Sequence, residues 1–88
     1  MKIKVYCSYG VLAHEKKNYY SFSAPASDIY DKIEIGIPDD IIAGENELGE
    51  PILQLGGVEY LLSEVLTNAG DAPVLRWYNG HTYNTIKL

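Results

Sequence analysis

An Asn-Gly dipeptide near the C-terminus, Asn79-Gly80, lies between two segments of strand composition and constrains the fold more than any other feature of the sequence. Asparagine and glycine tolerate the positive backbone angles of a type I′ turn, which joins two antiparallel strands through two residues. Such a turn would pair Tyr78 with His81. The sequence therefore predicts a C-terminal β-hairpin whose core-facing side carries four apolar side chains, Leu75, Trp77, Ile86 and Leu88.

Alternation of polar and apolar residues, the period of a half-buried strand, marks two segments in the first half of the chain. Residues 2–8 and residues 30–37 each place three apolar side chains on one face, which are Ile3, Val5 and Cys7 in the first segment and Ile33, Ile35 and Ile37 in the second. Between these segments, residues 14–18 have the composition of a solvated turn and residues 19–23 that of a strand. The first 23 residues are therefore predicted to form a hairpin or a bulged strand pair.

The middle of the chain contains a second hairpin signal and a helix signal. The pair Gly56-Gly57 separates two apolar segments, residues 52–55 and residues 58–61, which predicts a hairpin. Ser63 can then cap a short helix over residues 64–68. A single helix over residues 58–68 is the alternative.

Together these segments predict a mainly β fold, with α+β as the alternative class. We expect a small antiparallel sheet of about five to seven strands, with the C-terminal hairpin and at most one short helix. Residues 39–51 contain two glycines, a proline and five carboxylates, which is typical of a long surface loop. Within it, Ile41 and Ile42 can turn back onto the core. A length of 88 residues corresponds to a single domain over residues 1–88.

The sequence also bears on where the protein resides. No apolar run approaches the roughly 18–20 residues that span a bilayer. The alternating start lacks the continuous apolar stretch of a signal peptide. One cysteine, Cys7, cannot form an internal disulfide. We therefore expect a cytoplasmic protein with no membrane partner.

Few residues suit catalysis or metal binding. Cys7 is the single thiol, and only His14 and His81 can serve as the imidazole base that a thiol nucleophile needs. Because Cys7 follows the apolar phase of its strand, a small buried side chain is the simpler interpretation. One cysteine and two distant histidines do not have the spacing of a zinc site, and no glycine pattern matches a phosphate-binding loop. We therefore expect neither enzyme activity nor a cofactor.

Charge is distributed unevenly along the chain. Residues 28–50 carry eight carboxylates against the single cation Lys32, a net charge of −7, whereas the rest of the chain sums to +2. Three interpretations are open. The carboxylates can form a solvated surface, a calcium loop that uses residues 39–47, or a surface that docks on a basic partner and imitates phosphate charge. Their spacing does not match the helix–loop–helix calcium site.

Lysines and tyrosines in the N-terminal segment favour a different partner. The lysines could follow a phosphate backbone while the tyrosines stack on bases; these residues are Lys2, Lys4, Lys16 and Lys17 with Tyr6, Tyr9, Tyr19 and Tyr20. The net charge of −5 argues against nucleic acid as a partner, because it repels a polyanion unless the two kinds of charge lie on opposite faces. An accessory nucleic-acid-binding domain is therefore the alternative function.

The sequence favours a non-enzymatic protein-binding module, an inhibitor that occludes the basic surface of a nucleic-acid-binding partner. In size, acidity and lack of catalytic motifs the chain is similar to small phage-encoded inhibitors, anti-CRISPR proteins among them, and this similarity is one of composition that covers no motif. Such an inhibitor needs only a rigid scaffold and a few anchoring side chains. The predicted contact residues are six carboxylates, Glu34, Asp39, Asp40, Glu45, Glu47 and Glu50.

Overall fold

Antiparallel β-strands dominate the computed structural model of the chain. It describes residues 1–12, 15–25, 30–70 and 72–88, with their side chains apart from residues 9–12 and 15–18. Within these residues lie nine strands, β1 (Lys2–Leu12), β2 (Glu15–Ser21), β3 (Tyr30–Gly36), β4 (Ile42–Glu45), β5 (Pro51–Leu55), β6 (Val58–Leu61), β7 (Leu66–Ala69), β8 (Ala72–Tyr78) and β9 (Tyr83–Lys87). One short helix, α1 (Leu62–Val65), and a 3₁₀ turn over Asp39–Ile41 complete the described elements.

The strands form three sheets of three strands each, which we name sheet A (β2-β1-β3), sheet B (β4-β5-β6) and sheet C (β7-β8-β9). Each of the described strand pairs is antiparallel. The predicted mainly β class, antiparallel pairing, C-terminal hairpin and short helix are confirmed. The strands of the described residues number nine in three sheets, where the alternation predicted about five to seven in one sheet.

Sheet A follows the predicted alternation. The apolar phases of β1 and β3 lie on the same face, because Val5 pairs with Ile33 and Ile3 pairs with Ile35. On that face Val5 and Ile35 are buried, and so is Cys7. The inner face of the sheet is therefore the apolar face that the sequence predicts.

The β1–β2 hairpin confirms the predicted N-terminal hairpin, but its second strand begins earlier than expected. Glu15 already pairs with Leu12, so residues 15–18 belong to a strand and the solvated turn predicted there is wrong. The long partner strand β1 offers backbone acceptors and donors to these residues, which outweighs their polar composition. His14 of that predicted turn lies outside the described residues, as does Asp28.

The long surface loop predicted over residues 39–51 is largely wrong. After Pro38, the 3₁₀ turn leads directly into β4, which pairs with β5 and contains an irregularity between Ile42 and Gly44. Ile41 and Ile42 pack against the core, as predicted. This strand forms because its apolar residues and its pairing with the buried strand β5 outweigh the polar composition of the segment.

The Gly56-Gly57 hairpin is confirmed, and α1 differs from the predicted helix. Both glycines have positive φ, 59° and 80°, as a two-residue type I′ turn requires. The chain forms a strand and then a short helix, so the single helix over residues 58–68 is not adopted. The helix begins at Leu62, and Ser63 is not its N-cap. It ends at Val65 because residues 66–69 pair with β8 as strand β7.

The C-terminal hairpin forms with a register that differs from the predicted one. Tyr78 pairs with Tyr83, two residues beyond His81. The side-chain oxygen of Asn79 accepts the backbone N–H groups of His81 and Thr82, both at 2.9 Å, and this closes a loop of four residues. Asn79 lacks the positive φ of a type I′ turn. Because the shift is two residues, each side chain keeps its face of the sheet.

The core is built from the inner faces of all three sheets and from α1. Its buried members are Val5, Ile35, Ile37, Leu53, Leu55, Leu62, Val65, Leu66 and Leu75. Trp77, Ile86 and Leu88 are half-buried against it, which confirms the predicted core side of the C-terminal hairpin. Sheets A and C meet where β2 lies beside β7.

Candidate protein-interaction surface

The predicted contact residues lie on consecutive elements. Glu34 is in β3, Asp39 and Asp40 are in the 3₁₀ turn, and Glu45 ends β4, with Glu47 in the turn that follows. All five side chains are exposed. Five of the six predicted carboxylates are therefore accessible to a partner.

Glu50, the sixth predicted contact residue, is a correction, because its carboxylate is buried and only 5% of the residue is exposed. Its Oε2 accepts the backbone N–H of Ser63 at 3.1 Å, and its Oε1 lies 3.4 Å from the Asn46 side-chain nitrogen. The backbone N–H of Glu50 donates to the Asn46 side-chain oxygen at 2.9 Å. A buried carboxylate needs such hydrogen bonds, so Glu50 joins β5 to α1 and does not face a partner.

Two of the exposed carboxylates have cationic neighbours. Asp39 lies 2.8 Å from the N-terminal ammonium group of Met1, and Glu34 lies 3.9 Å from the Lys2 Nζ. Exposed pairs of this kind contribute little to stability. Their significance is local, because each cation offsets the negative potential beside it.

Asp40, Glu45 and Glu47 have no cation within 4.0 Å among the described residues. Together with Asp39, whose side chain is 87% exposed, we name them the acidic strip: four exposed carboxylates on consecutive elements, Asp39, Asp40, Glu45 and Glu47. Glu34 is not part of the acidic strip, because it lies in sheet A, where it pairs with Lys4 of β1.

The outer face of sheet A, which points away from the core, carries lysine and tyrosine side chains. Ser8 pairs with Tyr19 on one side and with Tyr30 on the other, and Tyr6 pairs with Lys32. With the alternation of β1, these pairs place six lysine and tyrosine side chains on one face, which we name the tyrosine–lysine face: Lys2, Lys4, Tyr6, Tyr19, Tyr30 and Lys32. Glu34 lies on the same face, because it pairs with Lys4. Lys32 and Tyr30 join this face through the pairing of β3 with β1. Alternation along the sequence indicates the phase of each strand, and only the pairing brings the residues together.

Contacts within the tyrosine–lysine face hold its side chains against one another. The rings of Tyr6 and Tyr30 meet edge to face, with centres 5.2 Å apart. The Lys32 Nζ lies 5.3 Å from the centre of the Tyr6 ring, within range of a cation–π interaction. Lys16, Lys17 and Tyr9 were predicted to belong to the same group, and their side chains lie outside the described part of the structure.

Sheet C presents a smaller group of aromatic and basic side chains. The Arg76 guanidinium lies 4.3 Å from the centre of the Tyr83 ring, and the Tyr78 and Tyr83 rings are 5.1 Å apart. A shallow groove of about 260 Å³ runs beside Arg76 and Tyr83, and its other wall is formed by residues 64–67. Arginine and tyrosine are common anchors of protein interfaces.

Two of the residues considered for catalysis lie in the described part of the chain, on different sheets. Cys7 is buried on the inner face of sheet A, while His81 is exposed in the four-residue loop of sheet C. The other candidate base, His14, lies outside the described residues. Within the described part of the chain, no three His, Cys, Asp or Glu side chains are grouped so that they could hold a metal ion.

Comparison of the chain with protein-family models, with curated proteins and with solved structures finds no match. The described helices include none with the length and apolar character needed to cross a membrane.

Proposed function

We propose that the chain is a non-enzymatic protein-binding module that inhibits a nucleic-acid-binding protein by covering its basic surface. The observation that carries this proposal is the acidic strip: four exposed carboxylates on consecutive elements, three of them without a cationic neighbour among the described residues. Of the six carboxylates predicted to make contact, only Glu50 is buried, so the four of the strip are accessible to a partner.

Electrostatic complementarity explains how such a surface would act. Carboxylates spaced along a turn and a strand edge offer a basic groove the kind of charge that a phosphate backbone offers. They attract the partner before contact, which raises the association rate. Because the neighbouring sheets need not rearrange, binding should cost little conformational entropy.

Composition supports a more specific role for the module. The chain is similar in size and acidity to small phage-encoded inhibitors such as anti-CRISPR proteins, and we propose a role of that kind. A role against a nucleic-acid-binding protein, together with the single cysteine, fits the cytoplasm.

Affinity capture with paired variants tests the proposal. The tagged chain, its Glu45→Gln/Glu47→Gln variant and a Glu59→Gln/Glu64→Gln control are each used to capture proteins from a lysate of the native host. Both variants change the net charge equally, and the Glu64→Gln side chain keeps an oxygen for the Leu61 N–H that Glu64 accepts at 2.9 Å. The captured protein should bind nucleic acid, be lost only with Glu45→Gln/Glu47→Gln, and be displaced by duplex DNA. Equal capture by all three chains, or no displacement by DNA, would contradict the proposal.

A further inference from the structure

We propose that the tyrosine–lysine face of sheet A binds single-stranded nucleic acid. This surface is separate from the acidic strip, and the inference does not rest on the proposed function. The strand pairs Tyr6↔Lys32, Ser8↔Tyr19 and Ser8↔Tyr30 place aromatic rings and ammonium groups on one side of a three-stranded sheet. On the opposite side of that sheet, Val5 and Ile35 are buried in the core.

The tyrosines of this face are poorly explained by the needs of folding. Tyr19 is 48% exposed and Tyr30 is 41% exposed, although both lie in paired strands. Two other aromatic side chains, Tyr20 of β2 and Phe22 just after it, already pack against the core. Exposed rings on a rigid sheet offer flat surfaces on which unpaired bases can stack, and such stacking tolerates any base sequence.

The lysines provide the complementary charge. Lys2, Lys4 and Lys32 are all exposed on this face. One carboxylate lies among its described side chains: Glu34 pairs with Lys4 and lies 3.9 Å from the Lys2 Nζ. Among the described side chains of this face, three ammonium groups against one carboxylate give a locally positive charge within a chain of net charge −5. Asp39, Asp40, Glu45 and Glu47 lie outside β1, β2 and β3, so the carboxylates of the acidic strip are not among these lysines.

The same features select a short single strand over a duplex. A duplex buries the faces of its bases, so the exposed rings of Tyr19 and Tyr30 would have nothing to stack on. A longer polyanion would also extend toward the acidic strip, which begins in the 3₁₀ turn just beyond the end of β3. The expected ligand is thus an oligonucleotide of a few nucleotides, held by stacking and by about three phosphate contacts.

Fluorescence anisotropy with a labelled ten-nucleotide thymidine strand, and with the uridine strand of the same length, measures this binding directly. We expect both to bind at low salt, because stacking and phosphate contacts do not use the 2′-hydroxyl. Release of counterions from about three phosphates predicts that log Kd rises with log salt concentration with a slope of about 2. A ten-base-pair duplex should bind more weakly than either strand.

Matched tyrosine variants locate the site. Tyr19→Thr/Tyr30→Thr keeps residues that favour strands and should weaken oligonucleotide binding by at least about tenfold. The control is Tyr78→Thr/Tyr83→Thr on sheet C, where the tyrosines are 52% and 62% exposed, and it should bind like the unaltered chain. Thermal unfolding of all variants verifies that they fold.

The proposal is overturned by any of three results: no binding at low salt, equal losses in both tyrosine variants, or a duplex that binds as tightly as the single strands. Loss of a captured protein in Tyr19→Thr/Tyr30→Thr, without oligonucleotide affinity in the unaltered chain, would identify the face as a protein contact instead. The Glu45→Gln/Glu47→Gln variant should bind the oligonucleotide at least as well as the unaltered chain. Its loss of a protein partner therefore reports on the proposed function alone.

Discussion

Glu50 is the residue at which the turn after β4, the start of β5 and helix α1 meet. Its carboxylate accepts the Ser63 backbone N–H, and Asn46 contacts both its side chain and its backbone. Glu50→Ala would leave the Ser63 N–H without a partner in a part-buried position. We expect a loss of about 1–3 kcal/mol in the free energy of unfolding, measured by chemical denaturation.

Two companion variants make the Glu50 measurement specific. Glu50→Gln keeps an oxygen that can accept the Ser63 N–H, so its loss should be smaller than that of the alanine variant. Glu47→Ala removes an exposed carboxylate nearby and should change stability by no more than about 0.5 kcal/mol. If Glu50→Ala were as stable as Glu47→Ala, the joining role of Glu50 would be wrong.

The sequence could not separate Glu50 from the other carboxylates. Composition does not distinguish the five carboxylates within residues 39–51, and it predicts that all of them are solvated. Whether one of them is buried depends on β4 turning back along β5 and on α1 presenting a backbone N–H to it. Both are tertiary features, which a local pattern of polar residues does not contain.

At the scale of the element, Asn79 determines how the C-terminal hairpin closes. Its side-chain oxygen accepts two backbone N–H groups, from His81 and Thr82. Asn79→Ala removes both hydrogen bonds, and because the loop is exposed, water can replace part of them. We expect a loss of about 0.5–1.5 kcal/mol in stability. Asn79→Asp retains an acceptor and should lose less stability than Asn79→Ala. Equal losses of stability in the two variants, measured by thermal unfolding, would contradict the hydrogen bonds assigned to Asn79.

The strands show which features of an element the sequence contains. Alternation predicted the core face of β1, β3 and β8, and this prediction holds despite a wrong register in the hairpin, because a two-residue shift preserves the faces. The four-residue strands β4 and β7 were missed. Each is too short for a clear period, and each is held in strand conformation by a longer neighbour, β5 or β8.

At the scale of the whole molecule, the pairing of β1 with β3 sorts the charge that the sequence shows only as a linear imbalance. It places Glu34 among Lys2, Lys4 and Lys32, and leaves the acidic strip to the segment that follows. The sequence could predict the net charge of −7 over residues 28–50. It could not predict this division, because the order of strands in a sheet depends on contacts between segments distant in the chain.

Association kinetics test whether the acidic strip steers the chain onto a basic partner. The rate constant is measured at low and at physiological salt for the unaltered chain, Glu45→Gln/Glu47→Gln and the control Glu59→Gln/Glu64→Gln, with the captured partner immobilised. We predict that Glu45→Gln/Glu47→Gln associates at least about threefold more slowly at low salt, and that added salt narrows this difference by screening. The control should match the unaltered chain. Equal association rates for the two double variants at low salt would contradict steering by the acidic strip.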